Sequence, residues 1–203
     1  MDGPIGSDPR LELERLARAI RRCKRCPLHR TRNRAVPGEG PHDAGIFFIG
    51  EGPGRTEDLK GRPFVGRAGG LLDELLSGIG LERARVFMGN VVKCRPVDAR
   101  GGDRRPTEEE IEACSPYLDR QLELVKPEII CPLGDTATRY ALKKYGLAAS
   151  SIGELHGRAL RIGGALLLPM YHPSAALYRA RLKASMREDF EKLKALISEL
   201  GIT

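Results

Sequence analysis

Five cysteines are the residues of this chain with the clearest capacity for chemistry, and four of them form a set. Cys23 and Cys26 are two residues apart, Cys94 and Cys114 follow much later, and Cys131 lies within an apolar run. Four thiolates can hold zinc or a 4Fe–4S cluster. The spacing leaves that choice open, although zinc sites usually show two close pairs. A thioredoxin-type pair is disfavoured because this CxxC follows a helix outside any βαβ unit.

Cys131 is expected to behave differently from the other four. It stands in the middle of a short apolar stretch, EIICPLG, that has the character of a buried strand. A free cysteine in such a position ordinarily packs as a small apolar residue. We therefore exclude it from the candidate metal ligands.

The composition favours a cytoplasmic protein with a polyanionic partner. The 203 residues include 34 Lys and Arg against 27 Asp and Glu, for a net charge of +7. No run approaches the roughly 18 apolar residues that a membrane span needs, and the N-terminal stretch MDGPIGSDPR lacks an apolar signal core. We expect one domain over residues 1–203, in which the cysteines stay reduced.

Apolar strands that alternate with helices predict an α/β fold with a parallel sheet covered on both faces. Strands are expected at 44–50, 86–92 and 128–134, and the second arm of a hairpin, 165–170, is expected to be another core strand. Helices are expected from Pro9 into the CxxC, around 71–79, from Thr107 to Val125, over 135–146 and, in one or two pieces, over 174–200.

Three unusual stretches follow the predicted strands. They are 50–70, 90–105 and 172–179, each placed where a core strand ends. In open α/β sheets the ligand binds outside the carboxyl ends of the strands. These stretches are therefore expected to meet at one edge of the sheet and to form an active site.

The glycine-rich turn GEGPG after the first strand is not a dinucleotide-binding fingerprint, because Arg55 occupies the position of the third glycine. Longer segments are more specific. GEGPGRTEDLKGRPFVGRAGGLLDELL, GNVVKCRP and HPSAALYR, with the four cysteines in this order, resemble the family 4 uracil-DNA glycosylases, the thermostable iron–sulfur branch of that superfamily. The resemblance extends from about Arg22 to Arg187.

The resemblance implies a fold and a cofactor. The fold is a three-layer αβα arrangement with a central four-stranded parallel sheet, on which the N-terminal helix and CxxC segment, residues 8–34, would pack. The cofactor is a 4Fe–4S cluster. Its implied ligands are Cys23, Cys26, Cys94 and Cys114.

The resemblance also implies an activity, the removal of uracil from DNA as the first step of base excision repair. The enzyme would hydrolyse the N-glycosidic bond of a flipped-out deoxyuridine in single- or double-stranded DNA. It would act as a monomer, associated with the nucleoid. A sliding clamp is a further candidate partner, although the C-terminus shows no clear clamp-binding motif.

The chemistry of three residues suits this task. Phe64 can stack on the base, and Asn90 can accept from N3–H and donate to O4 of uracil. His172 can donate to O2 as negative charge builds on the leaving base. Gly50, Glu51 and Gly52 would complete the uracil site.

The catalytic water lacks an obvious partner. The better-known branch of the superfamily has an Asp that orients water where this chain has Gly52, so Glu51 and Glu57 become the candidates. Glu51 is alternatively expected to crowd C5 of the base and to exclude the methyl group of thymine.

Contacts to DNA are expected from residues flanking these loops. Ala176 or Leu177 could fill the gap left by the flipped base, and Leu177 is preferred because it is bulkier. The loop DARGGDRRP departs from the family, because an expected Asn is replaced by Ala99 or Asp103, depending on alignment. The predicted DNA-binding residues are Ser174, Leu177, Arg100 and Arg179.

Two alternatives remain compatible with the sequence. One is a relative that grips uracil or damaged DNA without catalysis, but the group that bonds covalently to uracil DNA has a reactive His in an Arg-rich insert, and DARGGDRRP has none. The other is a zinc-stabilised nucleotide-binding protein of Rossmann type, which the failed glycine spacing disfavours.

Overall fold

Five strands form the centre of the computed structural model, which describes residues 8–202. Residues 1–7, which belong to the polar N-terminal stretch without an apolar signal core, lie outside the described residues. The strands are β1 (Ile46–Gly50), β2 (Phe87–Asn90), β3 (Ile129–Pro132), β4 (Leu160–Ile162) and β5 (Ala165–Leu167). Their order in the sheet is β2-β1-β3-β5-β4, and every pairing is parallel except β4 with β5.

The expected parallel core of four strands is present, but the predicted strand number was wrong by one. Residues Gly163 and Gly164 join β4 to β5, and Gly163 has a φ of 62°. A two-residue turn of this kind joins antiparallel neighbours, so the first arm of the hairpin adds an edge strand.

Alternating residues of β1 bury both faces of the sheet. Ile46 and Phe48 pack on one face, while Phe47 and Ile49 pack on the other. This two-sided burial explains why the strand is a continuous apolar run, and it confirms the αβα layering. The helices are α1 (Pro9–Arg22), α2 (Arg55–Lys60), α3 (Arg67–Gly78), α4 (Glu108–Val125), α5 (Gly134–Lys144), α6 (Ile152–Leu155), α7 (Pro173–Tyr178) and α8 (Leu182–Leu200).

The helix starts follow local chemistry. Asp8 accepts a hydrogen bond from Arg10 N (2.9 Å) at the start of α1, and Thr107 forms a capping box with Glu110 at the start of α4. The expected C-terminal helix is two helices, α7 and α8. The short helix α2 lies within a segment that was expected to be loop.

The N-terminal helix packs against α4. Apart from the apolar clusters on the two faces of the sheet, another cluster lies between these helices and includes Ile20, Leu28 and Val92 together with Cys94 and Cys114. This cluster joins the N-terminal segment to the end of β2. Along residues 8–202, no helix is both long enough and apolar enough to cross a membrane.

Candidate functional site

A cavity of about 690 Å³ opens at the carboxyl ends of the parallel strands. Its walls come from the segments that follow β1, β2, β3 and β5, which is the convergence expected from the sequence. Six of the seven predicted catalytic and uracil-binding residues line it. They are Glu51, Gly52, Glu57, Phe64, Asn90 and His172.

Gly50 lies behind this wall, where β1 pairs with β2. It is in register with Asn90, whose side chain is only 3% exposed. A Cβ atom at position 50 would collide with Oδ1 of Asn90 and lie 2.7 Å from the ring of Phe64. Only glycine therefore lets these two side chains approach each other here.

His172 occupies the N-cap position of α7, directly before Pro173. The backbone N–H of Ser174 donates to His172 Nδ1 (3.1 Å), and Ser174 Oγ lies 2.7 Å from the same nitrogen. Because Nδ1 accepts a hydrogen bond, a neutral ring carries its proton on Nε2. Burial lowers the pKa of His172 to about 4, although the nearby Glu57 opposes the shift. At neutral pH the ring is an uncharged donor.

Phe64 is held in a backbone conformation that residues other than glycine rarely adopt, with a φ of 50°. The guanidinium of Arg83 donates to Phe64 O (2.8 Å) and to Pro63 O (2.5 Å). Glu57 Oε1 accepts from the next two backbone N–H groups, Val65 (2.9 Å) and Gly66 (2.7 Å). These contacts hold the backbone on both sides of Phe64, whose ring centroid lies 6.1 Å from that of His172.

The two candidate water-holding carboxylates have different surroundings. Glu51 Oε2 accepts a hydrogen bond from the hydroxyl of Thr136, near the start of α5. Glu57 uses Oε1 to brace the Phe64 loop, as described above. Both line the cavity, and so do Asp103 and Asp135.

The four predicted DNA-binding residues divide into two pairs. Ser174 and Arg179 line the cavity, whereas Leu177 and Arg100 do not. Leu177 is half-buried, and Arg100 is exposed on the loop between β2 and α4. The next residue after Leu177, Tyr178, lies at the cavity and is 88% exposed, a feature that sequence reasoning missed.

The four predicted metal ligands line a second, smaller cavity. Three donors face their sulfur atoms: Arg32 Nη1 to Cys94 (3.1 Å), Lys93 N to Cys114 (3.2 Å) and Arg25 N to Cys23 (3.4 Å). Burial raises the pKa of Cys114 to about 11 and raises that of Cys94, so buried thiolates here need a cationic partner.

The arrangement of these thiols bears on what they could hold. Within residues 8–202, no group of three or more His, Cys, Asp or Glu side chains is disposed to hold a metal ion. The thiols surround a cavity instead, and N–H groups point at their sulfur atoms. Soft ligands with such hydrogen bonds suit an iron–sulfur cluster. Cys131 is fully buried in β3 and takes no part.

Sequence reasoning also missed residues that hold the two sites in place. Asp58, 1% exposed, accepts from Asn33 N (2.9 Å) and Nδ2 (2.5 Å), which ties α2 to the segment after the CxxC. Lys93, 1% exposed, lies between Asn90 and Cys94. The single lysine within the apolar run NVVKC was a signal for this residue, whereas Asp58 had no distinguishing pattern.

The fold and the two cavities define an α/β protein with a large cavity at the carboxyl ends of its strands and a separate four-cysteine site. The sequence matches the model of the uracil DNA glycosylase superfamily over residues 37–195. It is 46% identical over 196 residues to the type-4 uracil-DNA glycosylase of Saccharolobus solfataricus, covering 94% of this chain and 89% of that protein. The type-4 enzymes of Archaeoglobus fulgidus (42%; 91% and 92% covered) and Thermotoga maritima (41%; 93% and 96%) are also similar.

The chain therefore belongs to the uracil-DNA glycosylase superfamily and, within it, to the type-4 enzymes.

Proposed function

We propose that this protein removes uracil from DNA by hydrolysing the bond between the base and the sugar of a flipped-out deoxyuridine, which leaves an abasic site. The observation that carries this proposal is the meeting of Phe64, Asn90 and a neutral His172 in one cavity of about 690 Å³. The names of the similar enzymes support it.

Base recognition is assigned to Phe64 and Asn90. The ring of Phe64 offers a flat apolar surface, and the Asn90 amide both accepts and donates, as the N3–H and O4 edge of uracil requires. Cytosine presents the opposite pattern at this edge, so the same amide would have to reverse its orientation.

Leaving-group stabilisation is assigned to His172. With Nδ1 engaged by Ser174, the Nε2–H donor faces the developing charge on uracil O2. A preorganised donor of this kind contributes more to the transition state than to the ground state. Removing one such donor typically slows a reaction by about a hundred- to a thousandfold.

The role of positioning the catalytic water is assigned to one of two carboxylates, Glu51 or Glu57. Single-turnover rates of Glu51→Ala and Glu57→Ala rank them, and Glu57→Gln distinguishes loss of charge from loss of the loop brace. If Glu51 instead excludes the thymine methyl, Glu51→Ala gains thymine excision while it keeps its uracil rate.

The cysteine cavity is assigned to a 4Fe–4S cluster, whose thiolate bonds would cross-link the N-terminal segment, the end of β2 and α4. The purified protein should then be brown, and Cys94→Ser or Cys114→Ser should bleach it and lower its stability. Cys131→Ser is the matched control and should keep the colour. A colourless protein with one bound zinc would contradict the assignment.

DNA binding is assigned to Ser174 and Arg179 at the cavity and to Leu177 and Arg100 nearby. We further propose that the protein acts as a monomer on single- or double-stranded DNA in the cytoplasm, associated with the nucleoid. A sliding clamp is a candidate partner, to be sought by co-purification.

The direct test uses a labelled oligonucleotide with a single uracil, followed by cleavage at abasic sites. The wild type should convert it, while the same strand with thymine stays intact. His172→Ala should be at least about a hundredfold slower yet still bind uracil DNA. His42→Ala, which removes a histidine outside the cavity, should match the wild type. An inactive wild type, or a fully active His172→Ala, would contradict the proposal.

A further inference from the structure

Lys93 is a buried cation at a position where the described roles do not require one. Its side chain is 1% exposed, and Nζ donates to the carbonyl of Asn90 (2.8 Å) and to Gln121 Oε1 (2.6 Å). Within residues 8–202 it forms no ion pair with a carboxylate. Asp119 favours the charged form of Lys93 only from beyond ion-pair distance. A buried ammonium group that no carboxylate contacts is unfavourable, so it points to a further negative group nearby.

The negative group that fits is the proposed cluster, because a cluster held by four thiolates carries net negative charge. Lys93 lies next to Cys94 in the chain, and its backbone N–H donates to Cys114 Sγ (3.2 Å). Lys93 therefore contacts the proposed cluster ligand Cys114 through its backbone, and it contacts Asn90 at the end of β2 through its side chain.

Gln121 extends this connection to a third segment. Its Nε2 donates to Pro37 O (2.7 Å), and Lys93 O accepts from Val36 N (2.7 Å). Gln121 is itself 3% exposed, on α4. The stretch that follows the CxxC is thus bound to Lys93 and Gln121, and Lys93 in turn binds the carbonyl of Asn90. A displacement of the cysteine-bearing segments would therefore move the end of β2.

We propose that Lys93 is a positioning residue that couples the cysteine site to base recognition, by balancing the cluster's charge and fixing the backbone of Asn90. This inference rests on the proposed function. It predicts that the loss of the Lys93 ammonium group changes two properties measured at different sites. These are the reduction potential of the cluster and the affinity of the pocket for uracil.

Lys93→Met tests this in the cluster-loaded protein, because methionine keeps much of the length and loses the charge. The reduction potential, followed by redox titration, should fall, since a nearby positive charge stabilises the reduced cluster. The inhibition constant of free uracil, which reports on the pocket without DNA contacts, should rise about tenfold. Lys194→Met is the control: it removes an exposed lysine of α8 that lines neither cavity, and neither property should change.

Gln121→Leu provides a second variant if Lys93→Met does not fold with its cluster. It removes one of the two acceptors but leaves the ammonium in place, so uracil affinity should fall while the potential stays close to that of the wild type. A wild type that excises no uracil would overturn the proposed function and this inference with it. An active wild type whose variants keep both uracil affinity and potential would overturn this inference alone.

Discussion

In the proposed reaction His172 meets the substrate as a neutral ring, and this determines how the reaction should respond to pH. Burial lowers the pKa of His172 to about 4, well below the ordinary value near 6.5. The neutral form, with its proton on Nε2, is therefore fully present at neutral pH and becomes the charged, doubly protonated ring only as pH falls through about 4. The burial of His172 therefore sets its protonation state at neutral pH.

We predict that the single-turnover rate of uracil excision shows no inflection from His172 between pH 8 and 5. An ordinary histidine would instead titrate near pH 6.5 and change the rate in this range. The measurement is the pH–rate profile of the wild type beside that of His172→Gln. An inflection near 6.5 in the wild type that disappears in the variant would show that the ring is not held neutral.

Tyr178 is a second candidate, beside Leu177, for the proposed wedge in duplex DNA. Its ring is 88% exposed at the cavity, whereas Leu177 is half-buried and does not line it. A base that stacks on an aromatic ring gains about 1–3 kcal/mol. We predict that Tyr178→Ala slows excision from duplex DNA by tenfold or more but changes excision from single strands little. A larger duplex-specific loss in Leu177→Ala would favour the leucine.

At the scale of elements, the loop between α2 and α3 is held by contacts at both ends of Phe64. The conformation with a φ of 50° costs on the order of 1 kcal/mol, so it persists only because Arg83 and Glu57 bind the neighbouring backbone groups. Arg83 also pairs with Glu39 (2.9 Å). The loop is thus fastened to the segment before β1.

We predict that Arg83→Lys weakens uracil binding by about tenfold, because an ammonium group cannot donate to both carbonyls as the planar guanidinium does. The inhibition constant of free uracil measures this effect. Arg62→Lys is the control, since Arg62 pairs with the same Glu39 (2.8 Å) and lies outside the cavity. Equal effects in both variants would mean that Glu39, and not the loop backbone, is what matters.

The same elements show what a sequence can predict. The capping box of Thr107 and the apolar run of β1 depend on residues close in the chain, so their patterns are readable. Arg83 reaches a carbonyl 19 residues away, and Asp58 contacts a residue 25 positions earlier. Such contacts depend on how helices pack, which local patterns do not encode. The strand ends still located the cavity, because parallel strands end at one edge of the sheet.

For the molecule as a whole, the net charge of +7 does not say how many basic side chains are available to contact DNA. Among seven basic residues that flank the cavity loops, Arg104 is committed to Glu110 (2.6 Å) and Arg95 to Asp103 (2.5 Å). Arg105 lies 3.7 Å from Asp135. Of the seven, four form no ion pair within residues 8–202: Arg100, Arg179, Arg181 and Lys183.

We predict that affinity for a uracil-free duplex falls with salt along a log–log slope of about −3 to −4, because each phosphate neutralised contributes about −0.9. Arg179→Gln should reduce the magnitude of the slope by about one. Arg120→Gln, on α4 and paired with Glu123 (3.1 Å), should leave it unchanged. Fluorescence anisotropy across a salt series measures all three. A flat response in the wild type would show that phosphates contribute little to binding, and a slope twice as steep would mean that the paired arginines leave their carboxylates to contact DNA.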